Sequence, residues 1–478
     1  MTHLWVGCFA LLLVASCYVH QRAFGFGTPA SRLGLLESVC QRGTMEIDIA
    51  STPTPDFAWI QGKRYSDKAP GTAVLALPAY ACTIGLQGQG SALGEPGKRL
   101  ARSWVACAFS QALPAAAGGC LLLIWLRRFV SARAAIVTVL GLWMGSLPLP
   151  YSTLLFSHAQ VIGLISVTLW ATDALQCEAR RNEEAGTGKQ SGRRTVASAK
   201  WRLALAGFSV GLALASEFTA GLVVLGLGVH VLRRHQWPRW AFVFSMIPPL
   251  LLIPLYSAAT IGTPFDLPYS HQGSFPEMRE GLYAIKWPDA EHLLRLLFGP
   301  TRGLVFWTPF LIMAGFGWYR IGAESPRDLW LTYAVPLLHV LVMSGRTWDW
   351  QAGFTISARY MAPILPLLAL PCGLGVERWP KLGATLAGLS IVMMTATTVT
   401  DACPPYHIHN PLTEWVLPKF FKGEFSYNLG TEVLGLPSWG GVAVFYVLLV
   451  VGFIWLWRTA RKIDGKMLKK VEMSREEC

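Results

Sequence analysis

Charge is scarce in this chain: Asp, Glu, Lys and Arg together make up 14% of 478 residues, with 28 acids against 41 bases. The sequence also lacks a Walker loop, a GxGxxG turn after a strand, an HExxH pair and an internal repeat. Those absences remove the usual nucleotide, dinucleotide and zinc-protease signatures. A secretion-type cysteine framework is missing as well, since most of the ten cysteines lie inside apolar runs, where a thiol behaves as a small hydrophobe. Cys40 and Cys403 alone read as external; a disulfide between them is the lesser alternative to two free thiols.

What the chain has in abundance is apolar length. Hydrophobic residues are 53% of it, Trp occurs 20 times, and the mean hydropathy is +0.40. Such a composition belongs to a polytopic membrane protein. The net charge of +13 does not imply nucleic acid, because the bases sit in short clusters between apolar runs, where they set membrane topology. No nucleic-acid partner is read from it.

Stretches long enough for the hydrocarbon layer fall near 4–20, 103–126, 134–150, 159–176, 203–216, 218–232, 240–258, 303–318, 329–344, 360–376, 383–400 and 440–457. This predicts an all-α bundle of about twelve crossings. The first run is read as a retained crossing, not a cleaved signal, although Val14-Ala15-Ser16-Cys17 looks like a lipoprotein site, because Met1-Thr2-His3 has no basic n-region. The apolar stretch 71–87 is read as an interfacial or re-entrant helix. Five basic clusters (127–133, 180–202, 233–234, 378–381 and 458–470) then share one side. Both termini are expected in the cytoplasm, and the loops 21–102, 259–302, 345–359 and 401–439 on the opposite, active face. Residues 177–200 read as a flexible cytoplasmic linker.

Loop 21–70 carries the acids Glu37, Glu46, Asp48, Asp56 and Asp67 beside Arg32, Arg42, Lys63, Arg64 and Lys68. Leucines and valine at 33, 35, 36 and 39 predict an amphipathic helix on the bilayer surface, capped near Ser31. On it Arg32 and Glu37 would not share a face. Within Tyr65-Ser66-Asp67-Lys68-Ala69-Pro70-Gly71 an acid and an amine abut an apolar run, and charges at such a boundary pair with each other or with a charged ligand. A lipid with a phosphate headgroup is such a ligand. Glu217 lies between two short apolar runs, a position functional by default.

These residues bring a family into view. Glu37, Gly43 and the string Gly62 to Pro70, followed by Leu126-Arg127-Arg128-Phe129, Gly211-Leu212-Ala213-Leu214 up to Glu217, and Ala358-Arg359-Tyr360-Met361-Ala362-Pro363, resemble the GT-C glycosyltransferases in order. That group contains protein O-mannosyltransferases and lipid A aminoarabinose transferase. Gly43-Thr44, Ile47-Asp48, Phe156-Ser157-His158 and Gly299-Pro300-Thr301-Arg302-Gly303-Leu304 are closer still to bacterial lipid-carrier-dependent glycosyltransferases. The resemblance implies a GT-C-like catalytic module over residues 1–400, with residues 401–478 adding an outer loop, a last crossing and a basic tail. It further implies inverting transfer of a sugar from a polyprenyl-phosphate carrier to an acceptor outside the cytoplasm, at a bacterial plasma membrane. One departure stands out: where better-studied members open the first loop with an Asp-Glu pair, this chain reads Gly27-Thr28-Pro29-Ala30-Ser31-Arg32.

The acceptor hydroxyl must lose a proton as it attacks, and the departing phosphate needs cations. Asp48 is therefore expected as general base, Lys68 and Arg359 as phosphate ligands, Asp67 as orienter, and His158 as a substitute for a second acid. Arg32, Glu37, Tyr65, Glu217, Arg302 and Tyr360 complete the expected substrate-binding set. Aromatic and acidic residues of loop 259–302 (Asp266, Tyr269, His271, Glu277, Trp287, Asp289) are expected to cover the acceptor. No cofactor is required; the loop acids leave Mg²⁺ or Mn²⁺ open. A lipid-linked-sugar flippase, or a surface-glycan polymerase or ligase working through His407, His409 and Lys419, are the alternatives.

Overall fold

A computed structural model describes residues 2–47, 52–88, 93–184, 189–234, 239–279, 284–324, 330–346 and 350–476. The protein is an all-α integral membrane protein. Among the described residues five helices are long and apolar enough to cross a bilayer: Glu95–Leu126, Arg239–Ile261, Arg359–Arg378, Pro380–Val399 and Ser438–Met467. Shorter apolar helices accompany them, including Thr2–Tyr18 (α1) and Ala132–Trp143.

Burial sorts these helices into a centre and a periphery. Across its apolar window Arg359–Arg378 is 94% buried, whereas Arg239–Ile261 is 22% buried. The outer helices present Phe244, Leu255, Val392 and Val451 to the surroundings, a surface that suits lipid and would not suit water. Close backbone approach locks neighbours together inside. A Cβ on Gly118 would lie 2.4 Å from the Cα of Gly163, so small residues let these two helices touch.

Several expected spans are broken by proline. The 303–318 run becomes a short helix Leu304–Trp307, a 3-10 turn Pro309–Leu311 and a helix Ile312–Glu324. The 134–150 run stops at Trp143 and resumes as Pro148–Ser152. The central span opens as 3-10 helix over Arg359–Leu368, because Pro363 and Pro366 each remove an amide donor.

The first loop departs from expectation. Its helix (α2) runs Gly27–Glu37, starting four residues before Ser31, which is not its cap. Thr28 through Leu36 are all buried, so α2 is inserted in the protein and does not lie on a membrane surface. Ser31 instead shares a 2.9 Å hydrogen bond with Ser66, which fixes the loop to α2. The next segment forms a hairpin of Ala58–Ile60 with Lys63–Tyr65. Its two-residue turn, Gln61 at φ 49° and Gly62 at φ 80°, has the positive angles that match strand twist. The chain then enters helix Gly71–Gln87 (α3). There Gly71 is pressed so closely against Ala215 and Ser216 that a Cβ would lie 2.6 Å from the Ser216 hydroxyl. That contact brings the first loop to the end of helix Lys189–Ser216, so that Lys68 and Glu217 line one cavity.

Cys40 and Cys403 are both free thiols. The expected flexible linker 177–200 is instead helical where it is described, continuing His158–Glu184 and opening Lys189–Ser216, and residues 185–188 lie outside the described residues.

Candidate active site

The loop before α3, the start of α2, the start of helix His158–Glu184 and the turn 350–360 enclose a cavity of about 1080 Å³. Of the expected site residues Arg32, Lys68, His158, Glu217, Arg359 and Tyr360 line it. They come from segments up to 328 positions apart (360 − 32).

Lys68 is the pivot of its first-loop wall. Its amine lies 3.0 Å from Asp67 Oδ2 and 3.2 Å from Asp56 Oδ2. Burial works to lower the lysine pKa, but the two carboxylates outweigh it and hold the group above its ordinary value. The amine therefore stays charged at physiological pH. The acids diverge. Burial pushes the Asp56 carboxyl up, yet Lys68 and the Thr28 hydroxyl, 2.6 Å away, together with Arg359 bring it below the usual carboxylate range. Asp67 is raised, because burial dominates, and its Oδ1 is buried without a hydrogen bond among the described residues. The backbone of this stretch is braced by Tyr256, whose hydroxyl donates to the Ser66 carbonyl at 2.9 Å.

Across the cavity, Glu217 is saturated: the Ser157 hydroxyl donates to Oε2 at 2.5 Å and the Thr219 hydroxyl to Oε1 at 3.1 Å. His158 stands 3.7 Å away through Nδ1 and stacks on Phe156. Arg32 is buried and donates to the carbonyls of Leu155 and Ser216 at 3.2 and 3.3 Å. Burial lowers its pKa to about 10, opposed by Glu217 and Asp67, so it remains a cation. The Arg359 guanidinium sits over the rings of Phe156 and Tyr360, at 5.0 and 5.1 Å.

Three expected binding residues land elsewhere. Glu37 forms an ion pair with Arg99 at 2.6 Å, facing away from Arg32. Tyr65 closes the hairpin opposite Ala58. Arg302 is fully buried behind the wall, donating to the carbonyls of Thr301, Gln351 and Gly353. Asp48 lies outside the described residues. In loop 259–302, Tyr269 reaches the cavity. Asp266 instead pairs with His271 at 2.6 Å, and Asp289 caps helix Ala290–Phe298 through the His292 amide.

Two wall residues were missed. Asp56 read as one loop acid among several, with no local signal; only its contact with Thr28 and Lys68 singles it out. Arg346, over the Tyr360 ring at 4.6 Å, sits near the Trp350-Gln351 turn, and that neighbourhood was the available hint. The loop acids do not converge as ligands: Glu37 pairs with Arg99, Glu46 with Lys63, and Asp56 and Asp67 with Lys68. Among the described residues no group of three or more His, Cys, Asp or Glu gathers to hold a metal ion.

No protein-family model matches the chain, and no curated protein does either. Among solved structures it is similar to ArnT from Cupriavidus metallidurans bound to undecaprenyl phosphate. The identity is 16%, coverage is 97% of this chain and 78% of that one, and the TM-score is 0.47. The apo state of the same protein gives 15%, 97%, 77% and 0.46.

Proposed function

We propose that this chain is a GT-C-type integral-membrane glycosyltransferase that moves a sugar from a polyprenyl-phosphate carrier to an acceptor outside the cytoplasm. The observation that carries the reading is Lys68: a buried ammonium, shared by two carboxylates, on the wall of a largely apolar cavity that also holds Arg32, Arg359 and Glu217. Apolar walls suit a prenyl chain, and the cations suit its phosphate. The ordered sequence motifs add independent support.

In the proposed reaction Asp56, not Asp48, takes the proton from the acceptor hydroxyl. It lines the cavity, and its Oδ1 takes no hydrogen bond from the described residues, whereas both oxygens of Glu217 are engaged. The acceptor oxygen attacks the anomeric carbon from the face opposite the phosphate, and the carbon–oxygen bond to phosphate breaks with its electron pair passing to the phosphate. Configuration is thereby inverted. Lys68 and Arg359 stabilise the departing anion; Asp67 holds Lys68 in place, and His158, Glu217 and Tyr360 shape the pocket around the sugar. No step uses a metal. We place the site on the outer face of a bacterial plasma membrane and assign about twelve crossings, on the grouping of basic clusters.

A polymerase or ligase of surface glycans is a second reading, favoured by Cys403 and Tyr406 of the 401–439 loop on the cavity wall. Purified protein given radiolabelled polyprenyl-phosphate mannose and polyprenyl-phosphate glucose separates the classes. Transfer or breakdown supports the enzyme, and products of increasing length support the polymerase. Passage of intact lipid across a vesicle without breakdown would refute both.

A further inference from the structure

We infer that the turn 350–354 and the aromatic residues it meets form an acceptor subsite for a sugar ring, so that the receiving substrate is a saccharide. This rests on reading the cavity as a glycosyl-transfer site. Phe26 precedes α2, Phe354 follows the turn and Tyr406 belongs to the 401–439 loop, yet all three line one cavity. Phe26 and Phe354 meet edge-on at 5.1 Å, and Phe354 and Tyr406 at 5.8 Å. The three remain 42%, 37% and 62% exposed. An edge-on pair covers only one face of one ring, so other faces remain for a ligand. An electron-rich face accepts the weakly positive C–H groups of a pyranose, a contact aliphatic side chains do not provide.

The turn supplies the polar half. Gln351 lines the cavity, and its side-chain Oε1 is buried without a hydrogen bond among the described residues, ready to accept from a sugar hydroxyl. The backbone next to it is strained: Ala352 has φ 62° and Gly353 φ 67°. A non-glycine residue in the left-handed region persists only where its surroundings over-determine it, which is common where side chains are aimed at a ligand. Arg302 is what over-determines it here, donating Nε to the Gln351 carbonyl and Nη2 to the Gly353 carbonyl, both at 2.9 Å. Arg302 is thus a positioning residue for the subsite. Those same bonds occupy two turn carbonyls that an extended peptide would need for pairing. The rim also adjoins the proposed base, since Phe26 leads directly into Gly27-Thr28 and the Thr28 hydroxyl holds Asp56.

The full chain in lipid nanodiscs, titrated with mannotriose, with cellotriose and with a serine-containing heptapeptide, tests the assignment. At least one trisaccharide is expected to bind saturably, and Phe354→Ala or Tyr406→Ala to weaken it roughly tenfold. Gln351→Leu and Arg302→Lys are expected to weaken it as well, while Phe354→Leu behaves like Phe354→Ala. Absence of trisaccharide binding, preference for the peptide, binding untouched by the variants, or rescue by Phe354→Leu would each overturn the subsite. A short-chain polyprenyl phosphate is titrated separately. Its failure to bind the wild-type protein would strike the glycosyl-transfer reading itself, whereas its unchanged binding by the rim variants confines any loss to the acceptor side.

Discussion

Two clusters of charge knit distant parts of this chain together, and they differ in what they leave over. At one, Asp464 in helix Ser438–Glu476 accepts from the amides of Ala132 and Arg133 at 2.8 and 3.2 Å and from the Arg133 side chain at 3.0 Å. Glu377 accepts there from the amide and hydroxyl of Ser131. The acids cap a helix N-terminus, and both oxygens of Asp464 are engaged while Glu377 accepts twice through Oε2. At the other, Lys68, Asp56, Arg32 and Arg359 line a cavity, and Asp67, paired with Lys68 but off the wall, keeps a buried oxygen with no hydrogen bond among the described residues. A count of charges does not separate a clamp from a site; unused bonding capacity beside a cavity does.

Removing Lys68 is the largest blow to that distinction. Lys68→Ala leaves Asp56 and Asp67 buried without their cation, which costs about 3–5 kcal/mol, and a missing charge-stabilising donor costs about 10²–10³ in turnover. Thermal unfolding and transfer assays on the same preparation should both fall. Should transfer survive while stability drops, the amine is a clamp like the one at Asp464. Asp56→Asn is the next in size: turnover is expected to decrease about 10²- to 10⁴-fold with polyprenyl-phosphate binding retained, and unaltered turnover would return the base role to Asp48.

The pH profile sharpens the same point. Asp56 titrates below its ordinary 3.8, so turnover should be flat from about pH 5 to pH 8 and fall about tenfold per unit below the depressed pKa. Because that pKa is lowered on folding, the stability Asp56 contributes is complete above its unfolded value and disappears as pH falls through the folded one. Lys68, raised on folding, contributes fully below its unfolded value and loses that contribution as pH rises through the folded one. An acid limb near neutral pH would remove Asp56 from the base role. The smallest effect belongs to the clamp: Asp464→Ala should lower stability by about 1–2 kcal/mol through lost capping and leave turnover unaltered. A loss of turnover without a loss of stability would erase the contrast between the clusters.

How much of this was legible beforehand differs from residue to residue. Lys68 was legible, because an amine directly before an apolar run has few reasons to be there. Glu217 stood out as an acid between apolar runs, and Arg359 as part of the Ala358 to Pro363 motif. Glu37 and Tyr65 shared the same loop and the same residue types, yet Glu37 turns to Arg99 and Tyr65 to Ala58; local pattern could not tell their direction. The buried placement of α2 was hidden for a related reason. A helix with leucines at 33, 35 and 36 has an apolar stripe in either setting, and its remaining faces are buried only because Thr28, Ser31 and Arg32 find partners in Asp56, Ser66 and the carbonyls of Leu155 and Ser216. Proline breaks in the 303–318 and 360–376 runs were visible as letters, but hydropathy averages across them.

By itself the sequence determined that this is a helical membrane protein with few charges, and it determined which of those charges were improbable enough to need a purpose. Apolar runs and clustered bases are one-dimensional quantities, and transfer free energy reads them directly. Tertiary structure alone decided which acid meets Lys68, which arginine faces the cavity and which stands behind it. Asp56 and Lys68 meet across a hairpin of one loop and the arginines come from distant segments, so the arrangement depends on how closely the chain is folded back: Gly71 against Ser216, and Ser31 against Ser66. Distance through space, on which the energy of a buried charge depends, leaves no trace along the chain.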